Sequence, residues 1–429
     1  MFFLSTQEKL YLKSKPISFK VLLFIILLKP LINSLWDVNL PFLNVTLLQF
    51  TSIIIVIILA IGLFKETLHK IPNLVNILFF LFTIFYASNI LFVLINNLDF
   101  NTIKYLAKAS VFPLSFFYAK KNINNYYDFT LILNAFVKSI VPAIIIGIFD
   151  IFIVGSYQLN RGIERYDSSF GDIANIGLHI NVVILIMNFH LLKFSIMYNQ
   201  FKSRIDIAYL IFFIYSLIML TKISHSSSFG VFVAINILFL IIRLKTDILG
   251  LIFYVFFAII GISLALGGWI KTFYNNFLLK EVNALLNGEI FNNIENMTYL
   301  FHGRVGRWLR YIDEFSQVSF FKQYFGGYAI GYPYVFEHGL HNDFLRIIMS
   351  TGYVNFIIYV LFLFYLVICS LKIKDYSEKY LLLGIVFIII LYSITLTPTT
   401  YVDICIIFST ISIFLLKKLF HEKNNPAIW

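Results

Sequence analysis

Residues 337–371 read EHGLHNDFLRIIMSTGYVNFIIYVLFLFYLVICSL, a polar segment with two histidines that leads directly into a long apolar run. A helix needs about 20 apolar residues to cross the hydrocarbon core of a bilayer. The apolar run meets that length, and it predicts a membrane-spanning helix because a backbone in lipid must satisfy its own hydrogen bonds. The polar residues at its start mark the part of the chain where we expect chemistry.

The whole chain shares this apolar character. Of its 429 residues 60% are hydrophobic and 13% are charged, and the mean hydropathy is +0.86. A soluble domain has about half apolar and a quarter charged residues, so the composition excludes one. The net charge of +11 comes from lysines and arginines scattered between apolar runs, which predicts no nucleic-acid partner. Cys369 and Cys405 lie inside apolar runs and predict neither a disulfide nor a metal site.

Apolar runs of suitable length predict an all-α polytopic membrane protein with about 12 transmembrane helices. We treat residues 1–429 as a single transmembrane domain. A long extracytoplasmic loop, residues 269–343, separates the ninth span from the tenth and is expected to contain short amphipathic helices. The predicted spans are residues 19–35, 46–64, 74–95, 102–119, 129–154, 173–194, 205–223, 228–244, 248–268, 344–371, 380–397 and 401–416.

The lysines and arginines predict the orientation of these spans. With the N-terminus in the cytoplasm, every second turn carries basic residues, as the positive-inside rule requires. Both termini are therefore expected in the cytoplasm. Two outer turns depart from this bias, because residues 155–172 carry Arg161 and Arg165, and the long loop carries its own group of arginines. Positive charge on the outer face predicts an anionic partner.

Within the long loop the spacing from Arg304 onwards predicts an amphipathic helix that ends at Gly326-Gly327. Arg304, Arg307 and Arg310 are three residues apart and would share one arc that can bind phosphate oxygens. The structural alternative is that each arginine reaches only to lipid headgroups. The apolar stripe of the same helix is Trp308, Ile312, Phe315, Val318 and Phe321.

The start of the tenth span provides the candidate catalytic group. Asn342 is a favourable N-cap, and Asp343 is favourable in the first turn. His341 then lies just outside the positive end of the helix, which favours a neutral imidazole that can accept a proton from a hydroxyl. The alternative is a histidine that only hydrogen-bonds the loop, with His338 as the reserve candidate.

Other polar residues in apolar surroundings leave two interpretations open. Lys29, Lys104 and Lys108 lie within predicted spans, where a lysine is unfavourable unless it faces a cavity or a partner. They either extend a path for an anion or reach outward to the membrane surface. His225 lies in a polar outer turn that either binds a sugar or is only a loop.

The sequence resembles the O-antigen ligase and O-antigen polymerase superfamily of bacterial membrane glycosyltransferases. His341-Asn342, nine residues and Gly352 resemble its H-N-x9-G signature, although Asn355 replaces the next expected small residue. The stretch from Arg165 to Asn175 is similar to another segment of the family, although Ser168 and Ile173 replace the glycine and the proline expected there. Ser224-His225 falls where many members have Ser-Arg. One more segment resembles the family: Gly303-Arg304-Val305-Gly306-Arg307-Trp308, followed by Phe325-Gly326-Gly327.

The resemblance implies a metal-independent, inverting glycosyl transfer from a polyprenyl-pyrophosphate-linked oligosaccharide, with no cofactor. Arg165 and Arg304, together with Arg307, would hold the pyrophosphate, and His341 would activate the acceptor hydroxyl. The remaining predicted substrate-binding residues are Arg161, His225, His338, Asn342 and Arg346.

The favoured function is an O-antigen polymerase of lipopolysaccharide biosynthesis that joins repeat units on the outer face of the bacterial cytoplasmic (inner) membrane. One alternative is an O-antigen ligase that transfers the glycan to the lipid A core. The alternative from another class is a lipid-linked sugar flippase, although no repeated halves favour a transporter. Expected partners are the lipid-linked oligosaccharide, membrane lipid and a chain-length regulator protein.

Overall fold

The computed structural model describes most of the predicted helices. Among the described residues, four helices are long and apolar enough to cross a membrane: Tyr126–Gly147, Asn175–Lys193, Asp343–Lys372 and Tyr376–Thr395. The described part of the fold is thus predominantly helical, with four candidate membrane spans. The described residues are 6–33, 39–40, 45–63, 73–96, 100–149, 157–160, 163–166, 173–198, 203–223, 226–243, 308–326 and 341–424.

The helices of the first half are α1 (Thr6–Lys13), α2 (Ile17–Asn33), α3 (Leu47–Leu63), α4 (Asn73–Asn96), α5 (Phe100–Asn122), α6 (Tyr126–Ser139), α7 (Val141–Phe149), α8 (Ile173–Tyr198), α9 (Ser203–Ile223) and α10 (Ser226–Arg243). The helices of the second half are α11 (308–316), α12 (Phe320–Phe325), α13 (Asp343–Lys372), α14 (Tyr376–Thr395) and α15 (Val402–Asn424), with a 3-10 turn at Pro398–Thr400.

Eleven of the twelve predicted spans coincide with helices, and the fifth is divided between α6 and α7. The ninth, residues 248–268, lies outside the described residues, as does most of the long loop. Short apolar helices that carry large exposed side chains are consistent with contact to lipid. Examples are Ile57 in α3, Phe80 in α4 and Ile237 in α10, which are 51%, 57% and 50% exposed.

Two short antiparallel hairpins depart from the all-α prediction. Strand β1 (Asn39–Leu40) pairs with β2 (Val45–Thr46), and β3 (Tyr157–Asn160) pairs with β4 (Ile163–Tyr166). The second hairpin lies in the predicted outer turn 155–172, and only two residues separate its strands in the sequence. One of the two is a glycine, the residue type that such short connections favour. The backbone of Arg165 lies in β4.

The helices pack around one continuous apolar core. Helix α15 packs on α5 and α6, α13 packs on α4 and α14, and α14 packs on α8. Buried aromatic rings fill the contact between α4, α5 and α13, where the Phe79 and Phe116 rings stack at 3.7 Å and Phe362 approaches both. This bundle holds the helix ends, and therefore the polar residues on them, in place.

Ion pairs join several predicted cytoplasmic turns at one end of the bundle, here called the lysine-rich end. Glu378 of α14 accepts hydrogen bonds from Lys193 at 3.2 Å and from Lys418 at 2.7 Å. Lys417 donates to the backbone oxygen of Ile123 at 2.7 Å, and Lys15 contacts Asp128 at 2.7 Å. These contacts bring turns from across the chain together at one end, in agreement with the predicted alternation. Which side of the membrane this end faces stays a prediction.

Candidate functional site

The start of α13 lies at the opposite end, here called the His341 end. Asn342 is the N-cap, as predicted, and its side-chain oxygen accepts a hydrogen bond from the Leu345 nitrogen at 3.0 Å. His341 has a φ of +46°, and among the described residues it is the one non-glycine with a positive φ. Left-handed backbone is unfavourable for most side chains, although histidine adopts it more often than most. The cap thus holds a half-buried imidazole in a constrained position at the helix start.

A buried ion pair holds this helix start against the rest of the bundle. The Arg346 guanidinium contacts the Asp343 carboxylate at 2.6 Å, and it donates to the Tyr86 hydroxyl at 2.9 Å. Asp343 and Arg346 are 0% and 2% exposed. Thr399 donates its hydroxyl and its backbone N–H to the second carboxylate oxygen, at 2.6 and 3.1 Å. A buried pair of charges requires such a complete set of partners.

Arg346 therefore has an internal role. Besides Asp343 and Tyr86, its guanidinium donates to the Thr399 hydroxyl at 2.7 Å. These partners come from α4, α13 and the 3-10 turn, so the side chain joins three parts of the bundle. The predicted contact between Arg346 and a substrate anion stays a prediction. Its observed contacts instead position the helix on which His341 and Asn342 lie.

Two glycines from the matched motifs contact each other beside this helix. Gly326 has a φ of +89° and Gly352 has a φ of +83°, where α13 is kinked. A Cβ atom at Gly352 would lie 2.6 Å from the backbone nitrogen of Gly326. The amide of Asn89 supports the contact by donating to the Phe325 carbonyl at 3.3 Å. Both glycines are required for the same reason: each has a positive φ and a backbone neighbour where a side chain would lie.

The predicted amphipathic helix of the long loop is correct in part. It begins no later than residue 308 and ends before Gly326, but residues 317–319 interrupt it and divide it into α11 and α12. Phe315 is buried against Met349, and Val318 packs beside them, as the stripe predicts. Ile312 and Phe321 are 45% and 68% exposed, and the predicted contact of these two side chains with the membrane stays a prediction.

Two further side chains of α11, Tyr311 and Arg310, have different surroundings. Tyr311 is 7% exposed and belongs to the apolar cluster around Met349. Arg310 is 72% exposed and forms an ion pair with Glu314 at 3.1 Å. One helical turn separates Arg310 from Glu314, the spacing at which such pairs form on a helix surface. The predicted contact of Arg310 with an anion stays a prediction.

A cavity of about 360 Å³, lined by both apolar and polar side chains, lies at the same end, between α2, α3, α5, α8 and the start of α15. Its wall includes the basic Lys29 and Lys108, which the sequence marks as unfavourable in lipid. Lys29 is 4% exposed and donates to the Ser52 hydroxyl at 2.8 Å. Lys29 and Lys108 thus line a cavity, and a path for an anion through it stays a prediction. For Lys104 only the backbone is described.

Asp403 lines this cavity and contacts a buried histidine, His179, that the sequence did not single out. His179 Nε2 lies 2.6 Å from Asp403 Oδ2, and His179 Nδ1 lies 2.8 Å from the Asn175 carbonyl oxygen. A carbonyl oxygen can only accept, so Nδ1 carries a proton. Contact between Nε2 and a carboxylate oxygen then requires one further proton, which the His179–Asp403 pair shares. Asn33 completes the group with a hydrogen bond to Asp403 at 3.3 Å.

The cavity and the start of α13 share one structural element. Thr397 and Thr400 line the cavity, whereas Thr399 between them bonds Asp343. The 3-10 turn therefore has the cavity on one side and the Arg346 ion pair on the other. Chemically, the region combines an imidazole at a helix start with amine groups that can bind an oxyanion.

Three of the predicted site residues, His341, Asn342 and Arg346, are described with their side chains, and all three lie at the start of α13. The convergence of the arginines on His341 stays a prediction. His179, Asp403 and Tyr86 were missed, although the two ionisable residues within apolar runs gave a signal. The structure does not describe the side chains of the other predicted site residues, which are Arg161, Arg165, His225, Arg304, Arg307 and His338.

Within the part of the chain that the structure describes, no three His, Cys, Asp or Glu side chains come together in a way that could hold a metal ion. Comparison with protein-family models gives no match, and comparison with curated proteins gives none either.

Proposed function

We propose that this protein is a membrane glycosyltransferase, an O-antigen polymerase that joins polyprenyl-pyrophosphate-linked repeat units outside the bacterial cytoplasmic (inner) membrane. The proposal includes twelve spans, cytoplasmic termini and an extracytoplasmic site at the His341 end. It rests on the motif resemblance. The observation that supports it best is the start of α13, where an N-cap and a buried ion pair hold His341 at the edge of the bundle.

The proposed reaction uses His341 as general base. The acceptor hydroxyl loses its proton to the imidazole while its oxygen forms a bond to the anomeric carbon of the donor. The bond between that carbon and the phosphate oxygen breaks, and the polyprenyl pyrophosphate leaves with the electron pair. Arg165 and Arg304, with Arg307, would stabilise the charge that grows on this leaving group. Attack opposite the leaving group inverts the configuration of the sugar.

The test is to replace His341 without straining its backbone. Glycine and asparagine both tolerate a positive φ, whereas alanine does not, so His341→Gly and His341→Asn are the informative variants. Membranes that contain each variant are supplied with lipid-linked repeat units, and the length of the glycan is measured. We expect about a hundredfold or greater loss of chain formation in both variants, because neither side chain can act as a base.

Lys322→Gln, an exposed change on α12, is the matched control and should leave chain formation unchanged. Normal long chains from folded His341→Gly and His341→Asn protein would refute the assignment of the base. Transfer of the glycan to the lipid A core, with no growth of the chain on its carrier, would identify a ligase.

One observation favours the transporter alternative. Lys29, His179 and Asp403 are ionisable groups buried within helices that are predicted to span the membrane, and transport pathways commonly contain such groups. Asp403→Asn separates the two functions in proteoliposomes with labelled lipid-linked units. A transporter would lose movement of single units across the bilayer. A polymerase would continue to join units supplied at its outer face.

A further inference from the structure

The described side chains that line the cavity beside the 3-10 turn include more basic than acidic groups. The His179–Asp403 pair shares one proton and is neutral as a unit, because that proton compensates the carboxylate whichever partner holds it. Lys29 and Lys108 then add two positive charges to the wall. Two ammonium groups in one wall attract an anion, because opposite charges attract each other more strongly where protein partly replaces water.

The carboxylate of Asp403 is already occupied by neighbours in the protein. Oδ2 contacts His179 and Asn33, and Oδ1 accepts the backbone N–H of Ile404 at 3.0 Å. Lys29 gives Ser52 one hydrogen bond, whereas an ammonium group has three donors. Both carboxylate oxygens of Asp403 thus have protein partners, and Lys29 and Lys108 line the same cavity.

The rest of the wall suits a hydroxylated molecule. Asn33, Gln49 and Thr400 provide amide and hydroxyl groups, and Val56 and Val111 provide apolar surface between them. Sugar rings combine hydroxyl groups with apolar C–H faces and need both kinds of surface. The volume of about 360 Å³ lies at the small end of the range for ligand sites, about 300–1,000 Å³.

We propose that this cavity binds an acidic sugar, with its anionic group held by Lys29 and Lys108 and its hydroxyls held by the amide and hydroxyl groups of the wall. That this sugar belongs to the growing glycan rests on the proposed function. The position supports the assignment, because the turn that lines the cavity also fixes the start of α13 through Thr399. A glycan that enters the cavity would thereby be held near the helix that carries His341.

The test uses the full chain in phosphatidylcholine nanodiscs, with glucuronate as the probe and glucose as the neutral control. Binding is measured as the rise in unfolding temperature with ligand concentration, which reports affinity. We expect glucuronate to stabilise the protein at concentrations where glucose does not. Lys108→Gln should weaken the affinity for glucuronate by about tenfold to a hundredfold, the value of a hydrogen bond to a charged group.

Lys29→Gln gives a second measurement, and Lys108→Gln keeps the test decisive if the buried variant does not fold, because the Lys108 side chain is exposed. Lys322→Gln removes a lysine outside the cavity and should bind glucuronate like the wild type. Equal stabilisation by glucose and glucuronate, or unchanged binding in Lys108→Gln, would overturn the proposal.

Anionic lipid is the competing source of the same chemistry. Stabilisation by phosphatidylglycerol nanodiscs, with no effect of glucuronate, would assign the cavity to a lipid headgroup and overturn the acidic-sugar assignment. The proposed polymerase activity is judged separately, from the His341 variants. Loss of chain formation in those variants without glucuronate binding would reject the cavity proposal alone.

Discussion

The Thr399 hydroxyl donates a hydrogen bond to the Asp343 carboxylate at 2.6 Å, although 56 residues separate the two positions. This bond joins the turn between α14 and α15 to the first residue of α13. Arg346 strengthens the connection, because its guanidinium bonds both Asp343 and Thr399. The position of His341 therefore depends on a turn that is distant in sequence and that also lines the cavity.

The first prediction concerns this ion pair. Arg346→Met leaves the buried Asp343 carboxylate without its countercharge, and we expect a loss of about 3–5 kcal/mol in the free energy of unfolding. The double variant Asp343→Asn with Arg346→Met should lose less than the sum of the two single changes, because no unpaired charge remains. Thermal unfolding in detergent measures all three proteins.

Arg310→Met is the matched control for that prediction. Its pair with Glu314 lies on the surface, and such pairs contribute about 0–1 kcal/mol. Equal losses in Arg310→Met and Arg346→Met would contradict the role assigned to the buried pair.

The second prediction concerns the contact between the two glycines. Gly352→Ala introduces a Cβ atom against the Gly326 nitrogen at a positive φ, so we expect destabilisation of about 2 kcal/mol or more. Gly230→Ala on α10 provides the comparison, because a Cβ atom there would meet nothing within 4 Å and alanine favours a helix by about 0.5–1 kcal/mol. Unfolding temperatures of the two variants should move in opposite directions. A neutral Gly352→Ala variant would show that the close contact has no structural role.

The third prediction concerns pH at the lysine-rich end. Burial acts to raise the pKa of Asp375, but hydrogen bonds from Lys193 and Ser377 outweigh it and hold the pKa below its ordinary value. A carboxyl group whose pKa is lowered by folding stabilises the protein above its unfolded pKa of about 3.9. This stability is lost as the pH falls through the lower, folded pKa.

Asp375→Asn isolates that contribution, because asparagine caps a helix about as well as aspartate does. We expect the wild type to be more stable than the variant by a constant amount above about pH 5, and the difference to shrink below about pH 4. Thermal unfolding from pH 3 to pH 7 provides the comparison. A difference that grows as the pH falls would mean that folding raises the pKa of Asp375.

The sequence predicted most of the helices because membrane helices depend on local composition. An apolar run such as that of α13 has to form its own backbone hydrogen bonds in lipid, whatever its neighbours are. The N-cap at Asn342 was also predictable, because it involves only the Leu345 nitrogen three residues away. Likewise, the lysines of the turns indicated which helix ends share a side of the bundle.

Only the tertiary structure decided which polar residues meet. His179 and Asp403 are separated by 224 residues, and Arg346 and Tyr86 by 260, so no local pattern relates them. The same holds for Gly326 and Gly352, whose contact depends on how α12 packs on α13. Local composition determined that this chain forms membrane helices. The packing of those helices determined where the cavity lies, because a cavity exists only between side chains that several helices bring together.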